Sequence, residues 1–210
     1  MEYVNDFSQT VDFSHSRGYP IIDVFDIVLS GCGGIKLHFD FLLGTPSVLI
    51  LIETESVFNS ARRAQFAKEM STIFVLTHGY ASKNTTGFVC LLKNKLPGLK
   101  IFTFGDCGPH GVSIMARNAS SKFSNNMPNR HRFSAQWIGI FPSQIQHDEN
   151  ETFQYFSDDD ISKFPGLLDH VWTTPRRREE ILLMQQSGKK YQSEYVLSKI
   201  GGFKTFILNF

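Results

Sequence analysis

Val48-Leu-Ile-Leu-Ile-Glu-Thr-Glu55 and its downstream counterpart, Ile101-Phe-Thr-Phe-Gly-Asp-Cys-Gly-Pro-His-Gly111, decide the fold. In each, a short apolar run ends abruptly in a carboxylate, Glu53 in the first and Asp106 in the second, and a helix-compatible segment follows. Fully buried parallel strands read as continuous apolar runs, and in open α/β sheets the ligand crevice lies just beyond the strands' carboxyl ends. Carboxylates standing there can converge on a hard cation such as Mg²⁺, which takes oxygen ligands from one or two acids and keeps waters or phosphates for the rest. Spacing alone is equally consistent with each acid capping the helix that follows it.

Working outward from these runs, the chain alternates regularly from Pro46. Strand Val48 to Ile52 is followed by a helix from about Ser56 to Met70, with Val57, Ala61 and Ala64 on one stripe and Arg62, Arg63 and Glu69 facing away. Strand Thr72 to Thr77, a polar loop from His78 to Thr86, and a helix from Gly87 to Lys95 come next, with Leu96-Pro-Gly98 as the stop. Strand Lys100 to Phe104 leads through Asp106 to a helix from Pro109 to Lys122, and after a polar linker a last strand runs from Ala135 to Ile140. Alternation at this spacing predicts an α/β fold: a four-stranded parallel sheet flanked by crossover helices, occupying residues 46–145.

The flanks read differently. Residues 1–45 hold two strand-like runs, Ile21 to Leu29 and Ile35 to Phe41, around Gly31-Cys-Gly-Gly34, and this pattern predicts a hairpin. The turn lacks the spacing of a phosphate-binding loop. Residues 146–210 lack the alternation and read as a helical tail. Ser157-Asp-Asp-Asp160 opens one helix that Pro165-Gly166 breaks, Pro175 to Gln186 forms a second, and residues 189–200 a third.

Composition narrows the function classes. A net charge of +1 and a pI near 7.8 exclude coating of nucleic acid by bulk electrostatics, so any DNA contact uses local patches. Arg62-Arg63, Arg130-His-Arg132, Arg176-Arg-Arg178 and Lys189-Lys190 are the candidates, each also readable as a solvated helix face. Cys32, Cys90 and Cys107 are odd in number and lack paired spacing, which indicates neither a disulfide framework nor a zinc site and fits a reducing compartment. No run approaches the about 20 apolar residues of a membrane span, and no signal peptide opens the chain, so a soluble, intracellular protein is expected.

Three ordered motifs resemble one family. Ile52-Glu-Thr-Glu-Ser-Val-Phe58, Asp106-Cys-Gly-Pro-His-Gly111 and Trp137-Ile-Gly-Ile-Phe-Pro-Ser-Gln144 are similar to the V-E-K-x-A-x-F, D-x-D-P-H-G and W-L-G-L-x-P-S-D patterns in the Toprim half of the topoisomerase VI A subunit, a pattern shared with the related meiotic double-strand-break transesterases. The resemblance covers residues 14 to 200 and implies a Rossmann-like Toprim sheet with Mg²⁺ on Glu53 and Asp106. It gives His110 a place lining the site near phosphate, and it leaves Arg117 and Lys122, on the helix after Asp106, as candidate DNA contacts.

The departures from the pattern are specific. Gly108 stands where the family places the second Asp of D-x-D, which predicts weakened metal binding, and Glu55 is the nearest other acid in sequence. The loop that reads T-G-K-G-x-P-D in relatives is Thr77-His-Gly-Tyr-Ala-Ser-Lys83 here, without the lysine. Relatives also carry a winged helix with a nucleophilic tyrosine before the Toprim half. About 13 residues precede the first match, too few for such a domain, and no tyrosine of the chain lies in its context, so no catalytic residue is assigned.

The resemblance therefore implies a nuclear, meiotic DNA-binding protein of an ATP-hydrolysing topoisomerase family. Its partners would be double-stranded DNA, a second copy of itself or a full-length paralogue, and an ATPase B-type subunit. Cleavage would proceed by Mg²⁺-dependent transesterification, with the tyrosine supplied from elsewhere. The alternative is a non-catalytic Toprim module that binds DNA or dimerises with such a paralogue.

Overall fold

A computed structural model describes residues 9–12, 21–23, 35–38, 46–63, 72–119, 133–145 and 152–209. In chain order the strands and helices are β1 (Gln9–Asp12), β2 (Ile21–Asp23), β3 (Ile35–His38), β4 (Val48–Ile52), α1 (Glu55–Arg63), β5 (Thr72–Leu76), α2 (Lys83–Lys95), β6 (Lys100–Phe104), α3 (Pro109–Ala119), β7 (Gln136–Trp137), β8 (Gln154–Tyr155), α4 (Asp158–Leu168), α5 (Pro175–Ser187), β9 (Lys189–Lys190), α6 (Ser193–Lys199) and α7 (Gly202–Leu208).

The four strands expected from the alternation form one parallel sheet, in the order β5-β4-β6-β7, with β2 added parallel to the outer edge of β5. Residues 49 to 52 of β4 and all of β5 are buried, as strands covered on both faces must be. From central β4 the chain crosses through α1 to β5 on one side, and from β6 it crosses through α3 to β7 on the other. Crossovers leaving in opposite directions place their helices on opposite faces of the sheet. The strand-order reversal between β4 and β6 is therefore the switch point of the fold, and Glu53 and Asp106 follow those two strands.

Among the described residues, the two runs expected to form a hairpin in residues 1–45 do not pair with each other. β2 joins the main sheet and β3 pairs in parallel with β1. The open edge of β5 offered unpaired backbone groups, and β2 satisfies them.

The tail is part of the core rather than an appendage. Phe203 and Phe206 of α7 stack edge-on against the sheet, Phe203 at 5.9 Å from Phe74 and 5.0 Å from Phe104, and Phe206 at 5.4 Å from Phe104. On the other side α3 packs on α4, and Trp137 is core as its motif suggests, 4.7 Å from Phe141 and 5.9 Å from Trp172. Buried Glu180 of α5 accepts hydrogen bonds from Ser143 N–H at 3.1 Å and Ser143 Oγ at 2.6 Å, tying the Trp137 motif to the tail.

Local corrections have local causes. Helix α2 starts at Lys83 rather than Gly87, because Ser82 caps it by accepting from Thr85 N–H at 3.1 Å. Pro165 does not break α4, which continues to Leu168: Pro165 faces solvent while Phe164 and Leu167 on either side are buried, so packing carries the helix past the missing donor. Residues 189–200 are a short strand followed by α6, since Lys189 and Lys190 pair with Tyr155 and Gln154 before the helix begins.

Because Phe203 is 1% exposed and stacks on two strands, Phe203→Ala is expected to lower unfolding stability by about 3–5 kcal/mol. Urea denaturation checks this, and a loss below about 1 kcal/mol would show that the tail is not part of the cooperative core.

Candidate metal centre

Glu53 and Asp106 meet because β4 and β6 are neighbours in register, with Ile52 opposite Phe104. Glu53 N–H donates to Phe104 O at 3.1 Å, and Asp106 N–H donates to Glu53 Oε2 at 3.3 Å. Gly105 makes the approach possible: a Cβ there would lie 2.2 Å from Glu53 Oε2. The two acids therefore stand beside one another at the ends of adjacent strands.

Asp106 is fixed from the tail. Its Oδ1 accepts from Ser193 N–H at 2.8 Å and from Ser193 Oγ at 2.7 Å, and Ser193 is fully buried. The neighbouring Cys107 exchanges backbone hydrogen bonds with Tyr191, at 3.1 and 2.9 Å, so residues 191–193 lie alongside the Asp106 loop. Glu194 follows, its Oε1 bound by Ser56 Oγ and its Oε2 lying 3.2 Å from Ser193 Oγ.

The electrostatics follow from this crowding. Burial, then the charge of Asp106, pushes the Glu53 carboxyl up to about 7, with Glu194 adding to the rise and the Asp106 N–H opposing it. Burial likewise raises Asp106 against the two Ser193 hydrogen bonds, while Glu194 raises it and His110 lowers it. Burial also raises Glu194, but the hydroxyls of Ser56 and Ser193 outweigh it and hold this carboxyl below its usual value. Burial pushes the Cys90 thiol up to about 11 and Cys107 higher still, so neither is an activated nucleophile.

Two converging carboxylates with raised pKa values and oxygen donors alone suit a hard cation that draws the rest of its shell from water or phosphate. They do not make a three-acid site. Among the described residues no group of three or more His, Cys, Asp or Glu side chains is placed to hold one ion. The reason lies at Gly108, where a Cβ would stand 3.0 Å from Lys190 Cβ. Strand β9 occupies the space that a second Asp would need, and Lys190 Nζ is drawn off to buried Asp160 at 2.6 Å. Glu55 does not substitute, being exposed in the first turn of α1.

The structure sorts the remaining sequence candidates. His110 and Arg117 are exposed on α3, and Lys122 lies outside the described residues. Arg177 stacks over Trp172 at 4.1 Å and Arg176 over Phe141 at 5.6 Å, Arg178 donates to Leu168 O at 2.9 Å, and Lys189 sits over Phe153 at 3.9 Å. These contacts tie both basic clusters to the tail, while Arg176 and Arg178 remain exposed. Arg130 and Arg132 lie outside the described residues, as do the side chains of Arg62 and Arg63. Sequence reasoning missed Ser193 and Glu194, which read only as the first turn of a helix.

A family model that describes the Toprim domain of the topoisomerase 6 A subunit/Spo11 group matches residues 48–206, which include both acids, Ser193 and most of the tail. The chain belongs to this family. Among its relatives, meiotic recombination protein SPO11-2 of Oryza sativa subsp. indica is 21% identical over 151 residues, covering 71% of this chain and 39% of that protein. Meiotic recombination protein SPO11-1 of Arabidopsis thaliana is 25% identical over 160 residues, covering 73% and 44%. The type 2 DNA topoisomerase 6 A subunit of Sulfurisphaera tokodaii is 24% identical over 197 residues, covering 84% and 50%. The chain thus spans half or less of these relatives' lengths. The family match agrees with the parallel sheet and its flanking helices.

Two outcomes are expected for this Toprim site. Between pH 4.5 and about 7 the folded chain keeps a proton on Glu53 that the unfolded chain has released, so this group lowers stability as pH rises through that window. The stability of Glu53→Gln relative to the parent should therefore rise across the same window in denaturation series without divalent cations; a constant difference would show that Glu53 is not perturbed. For Gly108→Asp, the contact with Lys190 predicts a loss of about 1–3 kcal/mol without tighter Mn²⁺ binding by calorimetry. Tighter binding at unchanged stability would mean that β9 yields readily.

Proposed function

We propose that this chain is the Mg²⁺- and DNA-binding Toprim half of a DNA-breaking transesterase of the meiotic recombination type, acting in the nucleus as a homodimer or beside a longer paralogue. The observation that carries the proposal is the convergence of Glu53 and Asp106 at the switch point between β4 and β6. Open α/β sheets bind ligands at that place, and two carboxylates there select a cation. The relatives, two meiotic recombination proteins and one subunit of a DNA topoisomerase, support DNA as the macromolecular substrate.

In this reading each residue has a defined task. Ser193 donates twice to Asp106 Oδ1, and the Asp106 N–H orients Glu53 Oε2. Among the described residues no hydrogen bond engages Glu53 Oε1 or Asp106 Oδ2, and these are the oxygens left for the ion. Mg²⁺ bound there supplies charge that steadies a DNA phosphate during strand transfer. No tyrosine among these 210 residues is assigned as nucleophile, so in this reading the attacking hydroxyl is supplied from outside them, and an ATPase component belongs to the same assembly.

Gly108, with Lys190 lying over it, favours a second reading, a non-catalytic Toprim module that binds DNA or dimerises with a full-length paralogue. Duplex DNA binding measured with and without Mg²⁺ separates the two. The metal-dependent reading expects Mg²⁺ to tighten binding, and Glu53→Gln to abolish the increase while leaving metal-free binding unchanged. DNA affinity indifferent to both Mg²⁺ and Glu53→Gln would leave the non-catalytic module standing.

A further inference from the structure

We infer that Tyr80 and Arg117 form a stacked phosphate-contacting pair for duplex DNA beside the carboxylates, in place of the lysine that the loop after β5 lacks. The inference rests on the proposal that the chain binds DNA, and it assigns one contact surface for it. Tyr80 is 40% exposed, and the Arg117 guanidinium lies over its ring, 5.0 Å from the centroid. The Tyr80 hydroxyl is 3.2 Å from Ser113 Oγ, and its ring meets the His110 ring edge-on at 6.0 Å. His110 stands in the first turn of α3, four residues after Asp106. His110, Tyr80 and Arg117 thus stack in succession along α3, which begins just after Asp106.

The loop is built to hold Tyr80 there. Thr77 N–H donates to Ile52 O at 2.9 Å and Gly79 N–H to Glu53 O at 3.3 Å, so the loop is pinned to the segment that carries Glu53. Buried Asn118 closes it from α3, donating to Gly79 O at 3.1 Å and accepting from Ala81 N–H at 2.8 Å. His78 and Gly79 turn the chain with positive φ, at 50° and 86°. Residues 117 and 118 of one helix therefore grip the loop and stack on its tip together.

Arginine on an aromatic face keeps its outward N–H groups available for bidentate bonding to phosphate, and the stack restricts the side chain before the ligand arrives. Among the described residues Arg117 has no carboxylate within ion-pair distance, in contrast to Lys163 and Lys190, which pair with Asp159 and Asp160. Arg177 donates to Trp172 O at 2.6 Å and Arg178 to Leu168 O at 2.9 Å, so part of each of these guanidinium groups is taken by the tail. A stacked, exposed guanidinium on the helix that follows Asp106, with no carboxylate partner among the described residues, fits a DNA phosphate.

Fluorescence-anisotropy titration of the full chain with a mixed-sequence DNA duplex over a range of salt concentrations tests this. Arg117→Ala should weaken binding about tenfold and reduce the salt slope by about one. Tyr80→Ala should weaken binding about two- to fivefold, and this effect should vanish in the Arg117→Ala background, whereas Tyr80→Phe, which keeps the stack, should stay near the parent. Thermal melts of each variant identify any loss that comes from unfolding. Folded Arg117→Ala and Tyr80→Ala proteins binding as tightly as the parent would overturn the pair and leave the DNA-binding proposal intact. A parent chain that does not bind duplex DNA in any salt would overturn both.

Discussion

Two half-buried carboxylates standing side by side are the constraint on which this structure turns. Glu53 and Asp106 stand at the ends of adjacent central strands, where burial raises the pKa of both and the charge of Asp106 raises Glu53 further. A folded chain tolerates such a pair only where donors surround it or a cation can enter. The surroundings supply backbone N–H groups, the Ser193 hydroxyl, and a glycine at 105 that leaves room for Glu53 Oε2.

The tail is consequently part of the site. Tyr191 pairs with Cys107, Ser193 holds Asp106, and Glu194 adds a third negative charge nearby, while Phe203 and Phe206 fasten α7 to the same sheet that carries the acids. Stability and site geometry are coupled through this segment, since a shift of β9 or α6 moves the donors of Asp106. The same coupling accounts for Gly108. The strand that brings Ser193 into position brings Lys190 over residue 108, and only a glycine leaves space beneath it without adjustment.

Much of this was legible in the sequence. Apolar runs ending in Glu53 and Asp106 located the central strands and their carboxyl ends, because a strand covered on both faces reads as a nearly continuous apolar run. The alternation gave the four parallel strands and the helices between them. Boundaries set by a single side chain escaped it: Ser82 moved the start of α2, and Phe164 with Leu167 carried α4 through Pro165. The pairing of β2 with β5 was hidden as well, since the sequence does not show which strand edges remain open.

By itself, then, the sequence determined the α/β class, the two acids and the family to which their motifs belong, since these depend on local apolar runs and fixed spacings. The tertiary structure alone decided which distant residues complete the site. Ser193 is 87 residues from Asp106, and Tyr80 lies beside Arg117, with which it shares no local pattern. Such contacts arise from how helices pack on the sheet, and their side chains carry no periodic signal that would reveal the partner in advance.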